Sequence, residues 1–200
     1  MTNAGMRRTQ AERRAETSAK LVDATIASIV EKGYARTSTK EICARAGVSH
    51  GALFGRFATL LDLVLAAAEE VANRQIEQFT TDFANLPDQS DIGAILALIR
   101  SGARTPINSV WIELLVAART DPDLRERLNM VMSQYITAMA AASSAVPAFQ
   151  DFAPENRYIL LMMVMHFFDG EALTAVPYPW PELDAERMSL IVDMLRPYRL

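Results

Sequence analysis

Cysteine is almost missing from this chain: Cys43 is the only one in 200 residues. A single thiol closes no internal disulfide and builds no thiolate metal cluster. It reads as a small buried filler inside a helix. Histidine is nearly as scarce, with His50 and His166 alone. No HExxH segment, glycine-rich phosphate loop or nucleophile–base motif accompanies them, so neither an enzyme, a metal site nor a cofactor is expected. Glycine and proline are few and scattered, at eight and nine residues. The N-terminus lacks the apolar core of a signal peptide. The most apolar run, Tyr158 to Phe168, contains His166 and stops at Asp169. It is shorter than a bilayer span and reads as a buried helix, so a cytoplasmic protein with no membrane partner is expected.

What is present is helix-forming. Hydrophobic residues make up 50% of the chain, which argues against disorder. Ala, Leu, Met, Glu and Arg dominate, with little β-branched alternation, so the expected class is all-α. The formal net charge of −4 hides an asymmetry. Residues 1–60 carry ten Arg/Lys against five Asp/Glu, whereas residues 61–200 carry ten against nineteen. Only the first part is positive, and an acidic body would turn phosphate towards it.

Within the positive part, Ser38–Phe57 reads as two short helices around a tight turn. Ser38 can cap the first, with Glu41 closing a capping box. Ile42 and Ala46 share one apolar edge, Gly47 permits the turn and Val48 plugs it. Ser49 can cap the second helix, whose buried side is Leu53 and Phe57. Its other side shows His50, Gly51, Ala52 and Phe54, a low-relief surface that a major groove can admit. A surface hairpin of helices in any all-α domain would look the same; the charge asymmetry favours the helix-turn-helix reading.

The rest divides at helix signals. Residues 1–9 form an arm whose Arg7 and Arg8, with Arg13 and Arg14, either reach phosphates or are simply solvated. A first helix runs from about Gln10 to Lys32 and stops at Gly33. Thr59 and Asp62 open a long helix from Leu60 to about Phe79. Further helices are expected at about Gln89–Gly102, after Pro106, from Asp121-Pro122 to about Ser144, at about Glu155–Ala175 and at about Leu183–Leu195. Pro147 to Pro154 is expected as a loop and Pro177–Pro181 as a stiff spacer. This makes nine helices in two domains, residues 1–58 and 59–200.

On these residues the chain resembles the tetracycline-repressor (TetR) family of transcriptional regulators. The match rests on Arg13-Arg14, Glu31-Lys-Gly-Tyr34, Thr37-Ser38, Glu41-Ile42, Ala46-Gly-Val-Ser49, Gly51, Phe54 and Phe57, and covers about residues 10–65. The resemblance implies a homodimer whose last two helices pair into a bundle. Its two heads would read successive major grooves of a palindrome. It also implies an effector cavity in the C-terminal domain and, by default, a repressor released by a small apolar molecule.

By family position the DNA-facing residues would be Ser49, His50, Gly51, Ala52, Phe54 and Gly55, with Thr37 bonding a phosphate. Ser38, Lys40 and Arg56 complete the expected surface. Three polar anchors of the family are replaced here, by Ala52, Phe54 and Leu60. That leaves open a dimeric helical adaptor or sensor with reduced DNA binding. In the body, Trp111, Tyr135, Met163, His166 and Phe167 are expected at the effector, and Met165, Phe168, Ala172, Ile191 and Leu195 at the dimer interface. His166 and Asp169, three apart on one helix, are expected as a polar network, a ligand anchor or an interfacial pair.

Overall fold

Helix caps set the chain's path. In the computed structural model, which describes residues 9–199, the Thr9 hydroxyl accepts from the Glu12 amide and the Glu12 carboxylate accepts from the Thr9 amide. This capping box opens α1 (Gln10–Lys32). Gly33, at φ +81°, ends it, and the Gly33 N–H donates to Ile29 O. A 3-10 turn at Tyr34–Arg36 leads to α2 (Thr39–Ala46) and α3 (His50–Phe54). A second capping box, Thr59 with Asp62, opens α4 (Leu60–Ala84). It is followed by α5 (Ile92–Ala103), α6 (Ser109–Ala118), α7 (Pro122–Ser144), α8 (Pro147–Gln150), α9 (Pro154–Ala175) and α10 (Asp184–Leu195). The expected arginines Arg7 and Arg8 lie outside the described residues.

The fold is all-α, with a small helical head and a larger helical body. The described residues form ten α-helices where nine were expected. The additional one is the single turn α8, inside the expected Pro147–Pro154 loop. Pro147 starts that turn, and burial of Phe149 and Phe152 holds it in place. The helix expected after Pro106 starts at Ser109, because Pro106–Asn108 closes a 3-10 turn first. The Pro177–Pro181 spacer is less extended than expected: the chain turns directly after α9, and Pro181–Leu183 is a 3-10 turn.

Two cores share two helices. The head core is small: Leu21, Ala24, Ile42, Cys43, Leu53 and Leu63. One turn further along α1, Ile26 and Ile29 belong to the body core, as do Val64 and Leu65 on α4. A boundary at residue 58 therefore separates Leu60 and Leu63 from side chains they pack against. A head of this size is marginal alone, and α1 and α4 lend it the larger core.

The last long helix corrects the buried-helix expectation. By length and composition α9 would suit a bilayer span. Its Leu160, Leu161, Val164 and Phe168 face inward, while Ile159, Met163 and Phe167 lie exposed. The Glu171 carboxylate pairs with Arg100 of α5 at 2.6 Å, and Arg104, Arg187 and Asp184 join the cluster. These charges fasten α9 and α10 to α5.

Candidate DNA-binding head and effector cavity

The turn between α2 and α3 follows the spacing. Gly47 adopts the left-handed conformation at φ +65°, where a Cβ would be strained, and the Val48 N–H donates to Cys43 O at 3.0 Å. The Ser49 hydroxyl accepts from the Ala52 amide at 3.2 Å, and Leu53 is fully buried. The outer face is then Ser49, His50, Gly51 and Phe54, all exposed. Phe54 is 51% exposed, and the His50 ring lies 6.3 Å from it. Ala52 is half-buried.

The neighbouring residues are placed differently from several expectations. Ser38 caps α2, with the Glu41 amide donating to its hydroxyl at 3.3 Å. The reciprocal half of the box does not form. The Glu41 carboxylate turns instead to the Ser28 hydroxyl, to Lys32 at 2.8 Å and to Arg45 at 3.2 Å. The Lys32 ammonium first, then Ser28, hold the Glu41 carboxyl down at about 2. Arg45 grips Glu31 with both Nη atoms at 2.8 and 2.6 Å. These bonds lock α2 onto α1.

Thr37, expected on a phosphate, is only 8% exposed. Its hydroxyl is committed to Gly33 O and to the Ser28 hydroxyl, both at 3.1 Å. It is a structural pin in the turn. Arg56 likewise is a brace: it donates to Ala52 O at 2.8 Å and Arg14 O at 3.3 Å, and Arg14 returns a bond to Gly55 O at 3.2 Å. Lys40 is exposed and has no carboxylate partner among the described residues. With Lys32 and Arg45 neutralised, the positive charge left to the head among the described residues comes from Lys40, Arg13, Arg14, Arg36 and Arg56.

The body encloses a cavity of about 350 Å³ between α4, α5, α6, α7 and α9. Trp111 and Tyr135 form one wall, stacked with centroids 5.3 Å apart at 20°. A second wall is methionine-rich: Met132, Met139, Met162 and Met165. Such side chains re-pack at little cost around ligands of different shape. A directed hydrogen-bond relay runs along the polar edge. Trp111 Nε1 donates to Gln75 Oε1 at 2.7 Å, Gln75 Nε2 to Asn108 Oδ1 at 3.0 Å, and Asn108 Nδ2 to Asp169 Oδ1 at 2.9 Å. Burial pushes the Asp169 carboxyl above the usual carboxylate range, against the opposing pulls of Asn108 and His166. The same burial raises the Tyr135 phenol, with Asp169 adding to it.

Of the expected effector residues, Trp111, Tyr135 and His166 line this cavity. Met163 and Phe167 do not: they are 61% and 49% exposed on the outer side of α9. The error is one of helical phase. On a helix apolar on both sides, composition does not say which side faces in. The same slip misplaced two of the expected interface residues. Met165 lines the cavity, and Phe168 is 1% exposed in the core. Ile191 and Leu195 lean on the body core, and Ala172 is half-buried. Sequence reasoning missed Gln75 and Asn108, amides that bear no local signal. It also missed Glu113, whose Oε2 accepts from the Tyr34 N–H at 2.8 Å and joins α6 to the head.

Residues 21–67 match the model of the bacterial regulatory proteins of the tetR family. The chain is 41% identical over 191 residues to an uncharacterised helix-turn-helix transcriptional regulator of Mycobacterium tuberculosis, covering 95% of this chain and 98% of that one. Its backbone superposes on the multidrug binding protein EbrR, solved with imidazole, with a TM-score of 0.67 at 24% identity, over 98% of this chain and 97% of that one. It also superposes on FadR of Bacillus subtilis, solved with stearoyl-CoA, with a TM-score of 0.64 at 19% identity, over 87% and 97%. The chain belongs to the tetR family of helix-turn-helix transcriptional regulators.

Proposed function

We propose that this chain is a homodimeric, ligand-responsive repressor that leaves a palindromic operator when a small, largely apolar molecule enters the body cavity. One observation carries the reading: α6 belongs to both sites. Trp111 and Leu115 line the cavity, while Glu113 between them accepts the Tyr34 N–H in the turn joining α1 to α2. A ligand that shifts α6 therefore acts on the head directly, and differential fit to two positions of α6 is what a ligand switch needs. Contact with bases falls to Ser49, His50, Gly51 and Phe54, and contact with backbone to Ser38, Lys40 and the arginines of α1.

Selection of duplexes from a random pool by the purified protein tests the reading. The expected result is an enriched inverted repeat. Replacing His50 and Phe54 together by Ala should weaken binding to that site by about tenfold or more with unchanged helix content. A protein that enriches no sequence at low salt would instead be the dimeric adaptor, for which the absent polar anchors at Ala52, Phe54 and Leu60 speak.

The dimer face we assign to the exposed stripe Ile159, Met163 and Phe167 of α9, together with Leu190 and Met194 of α10, all of them large apolar side chains left in water. Met163→Asp should shift the protein from dimer to monomer in analytical ultracentrifugation at micromolar concentration. Val164 beside it points into the core, so a dimer that survives Met163→Asp would place the interface elsewhere.

A further inference from the structure

The cavity's charges are one-sided. Among its lining residues the acids are Asp82 on α4 and Asp169 on α9, and the only Lys or Arg is Arg74. Arg74 is already engaged by Asp23 and by Glu70, at 2.7 Å for the second, and neither carboxylate lines the cavity. Gln78 Nε2 donates to Asp82 Oδ1 at 2.7 Å, which fixes that carboxylate without neutralising it.

The relay ends on the other acid. Trp111, Gln75 and Asn108 each spend a donor on the next acceptor, so the buried amides have one orientation only. The chain of donors terminates at Asp169 Oδ1. Asp169 Oδ2 receives no hydrogen bond from the described residues, and His166, a turn away on α9, and the Tyr135 phenol are titratable groups that line the same cavity. The stacked pair Trp111–Tyr135 lines the same cavity, and aromatic ring faces attract cations. An anionic ligand would have to draw Arg74 from two carboxylates and settle beside a buried acid, which low polarity makes costly.

We propose that the cavity selects an organic cation, an alkyl- or arylalkylammonium whose N–H group donates to Asp169 and whose apolar body lies among Ile99, Met132, Met139 and Met165. This rests on reading the cavity as the effector site, and adds the charge of the occupant to it. The methionine wall tolerates varied apolar bodies, so the head group rather than the body carries the selectivity.

Three probes of one shape separate the possibilities: phenylbutylammonium, phenylbutanol and phenylbutyrate. Binding is followed by Trp111 fluorescence in a Trp180→Phe background and by calorimetry, and release from the selected duplex is followed by gel shift. The ammonium should bind about tenfold or more tighter than the alcohol, with the carboxylate weakest, as expected for one charge pair at partly buried sites. Asp169→Asn keeps the side-chain size and an acceptor for Asn108. It should remove most of the ammonium's advantage and change the alcohol's affinity by less than about threefold. A carboxylate that binds best, or an ammonium preference that survives Asp169→Asn, overturns the charge selectivity while leaving the effector site intact. Binding of no probe overturns both, and tight binding without release of the duplex overturns the effector reading alone.

Discussion

Leu53→Ala should unfold the head at a denaturant concentration that leaves the body intact. Leu53 is fully buried on α3 and packs in a core of six side chains shared with Leu21, Ala24, Ile42, Cys43 and Leu63. Removing three carbons from so small a core leaves a void that few neighbours can close. A loss of about 3 kcal/mol is expected, the middle of the range for buried Leu→Ala changes. The molecule carries its own reporter for where the loss falls. Both tryptophans, Trp111 and Trp180, sit in the body. Circular dichroism should therefore show an early transition that tryptophan fluorescence does not, and specific DNA binding should disappear with the first transition. A single coincident transition moved by the full amount would show that the two cores unfold as one. The shared helices α1 and α4 would then transmit more than is expected here.

The second large effect is on communication rather than stability. Glu113→Ala should leave cavity binding close to wild type while the ligand loses its hold over DNA affinity. Glu113 Oε2 accepts from the Tyr34 N–H, and Gly33 lies so near that a Cβ there would come within 2.9 Å of the same oxygen. The φ of +81° calls for glycine there, and a Cβ would push the Glu113 carboxylate aside. Removing the carboxylate frees the α1–α2 turn from α6. Ligand-induced weakening of duplex binding, typically five- to 150-fold for coupled sites, should fall to about twofold or less. By linkage, the duplex should equally cease to weaken phenylbutylammonium binding. Glu113→Gln keeps an acceptor and should keep most of the coupling. Unchanged coupling in the Ala variant would mean that the apolar packing of Tyr34 on the body core, or α4, carries the signal. Its bridge between Asp62 and Arg127 of α7, at 2.6 Å, is the other polar tie between the start of α4 and the body.

The charge pattern of the head also reads differently in three dimensions. Ten basic residues in the first 60 suggest a strongly positive surface. Lys32 and Arg45 are in fact spent on Glu31 and Glu41, joining α2 to α1. The outward charge is thus smaller than the count, and on the proposed reading more of the recognition falls to the exposed pair His50–Phe54. A head with fewer polar anchors and an aromatic in place of a phosphate contact should show a shallow dependence of affinity on salt.

By itself the amino-acid order determined the local grammar of this protein. The caps Ser38, Ser49, Thr59 and Asp121, the stops Gly33 and Gly47, and the buried spacing of Ile42 and Leu53 are all nearest-neighbour effects. Each follows from one residue's hydrogen-bonding or backbone preference within a turn of itself. That was enough for the helix-turn-helix, the all-α class and the family. Only the tertiary structure decided what lies across a gap. On α9 both faces are apolar, so nothing local distinguishes Met162 and Met165, which reach the cavity, from Met163 and Phe167, which face water. Thr37 has the type of a phosphate ligand but is buried by packing against Ser28, nine residues away. The relay from Trp111 to Asp169 and the grip of Glu113 on Tyr34 join residues 33 to 79 positions apart in sequence. Contacts between distant segments depend on how helices rotate against one another, and that phase is set by the packing of the whole core.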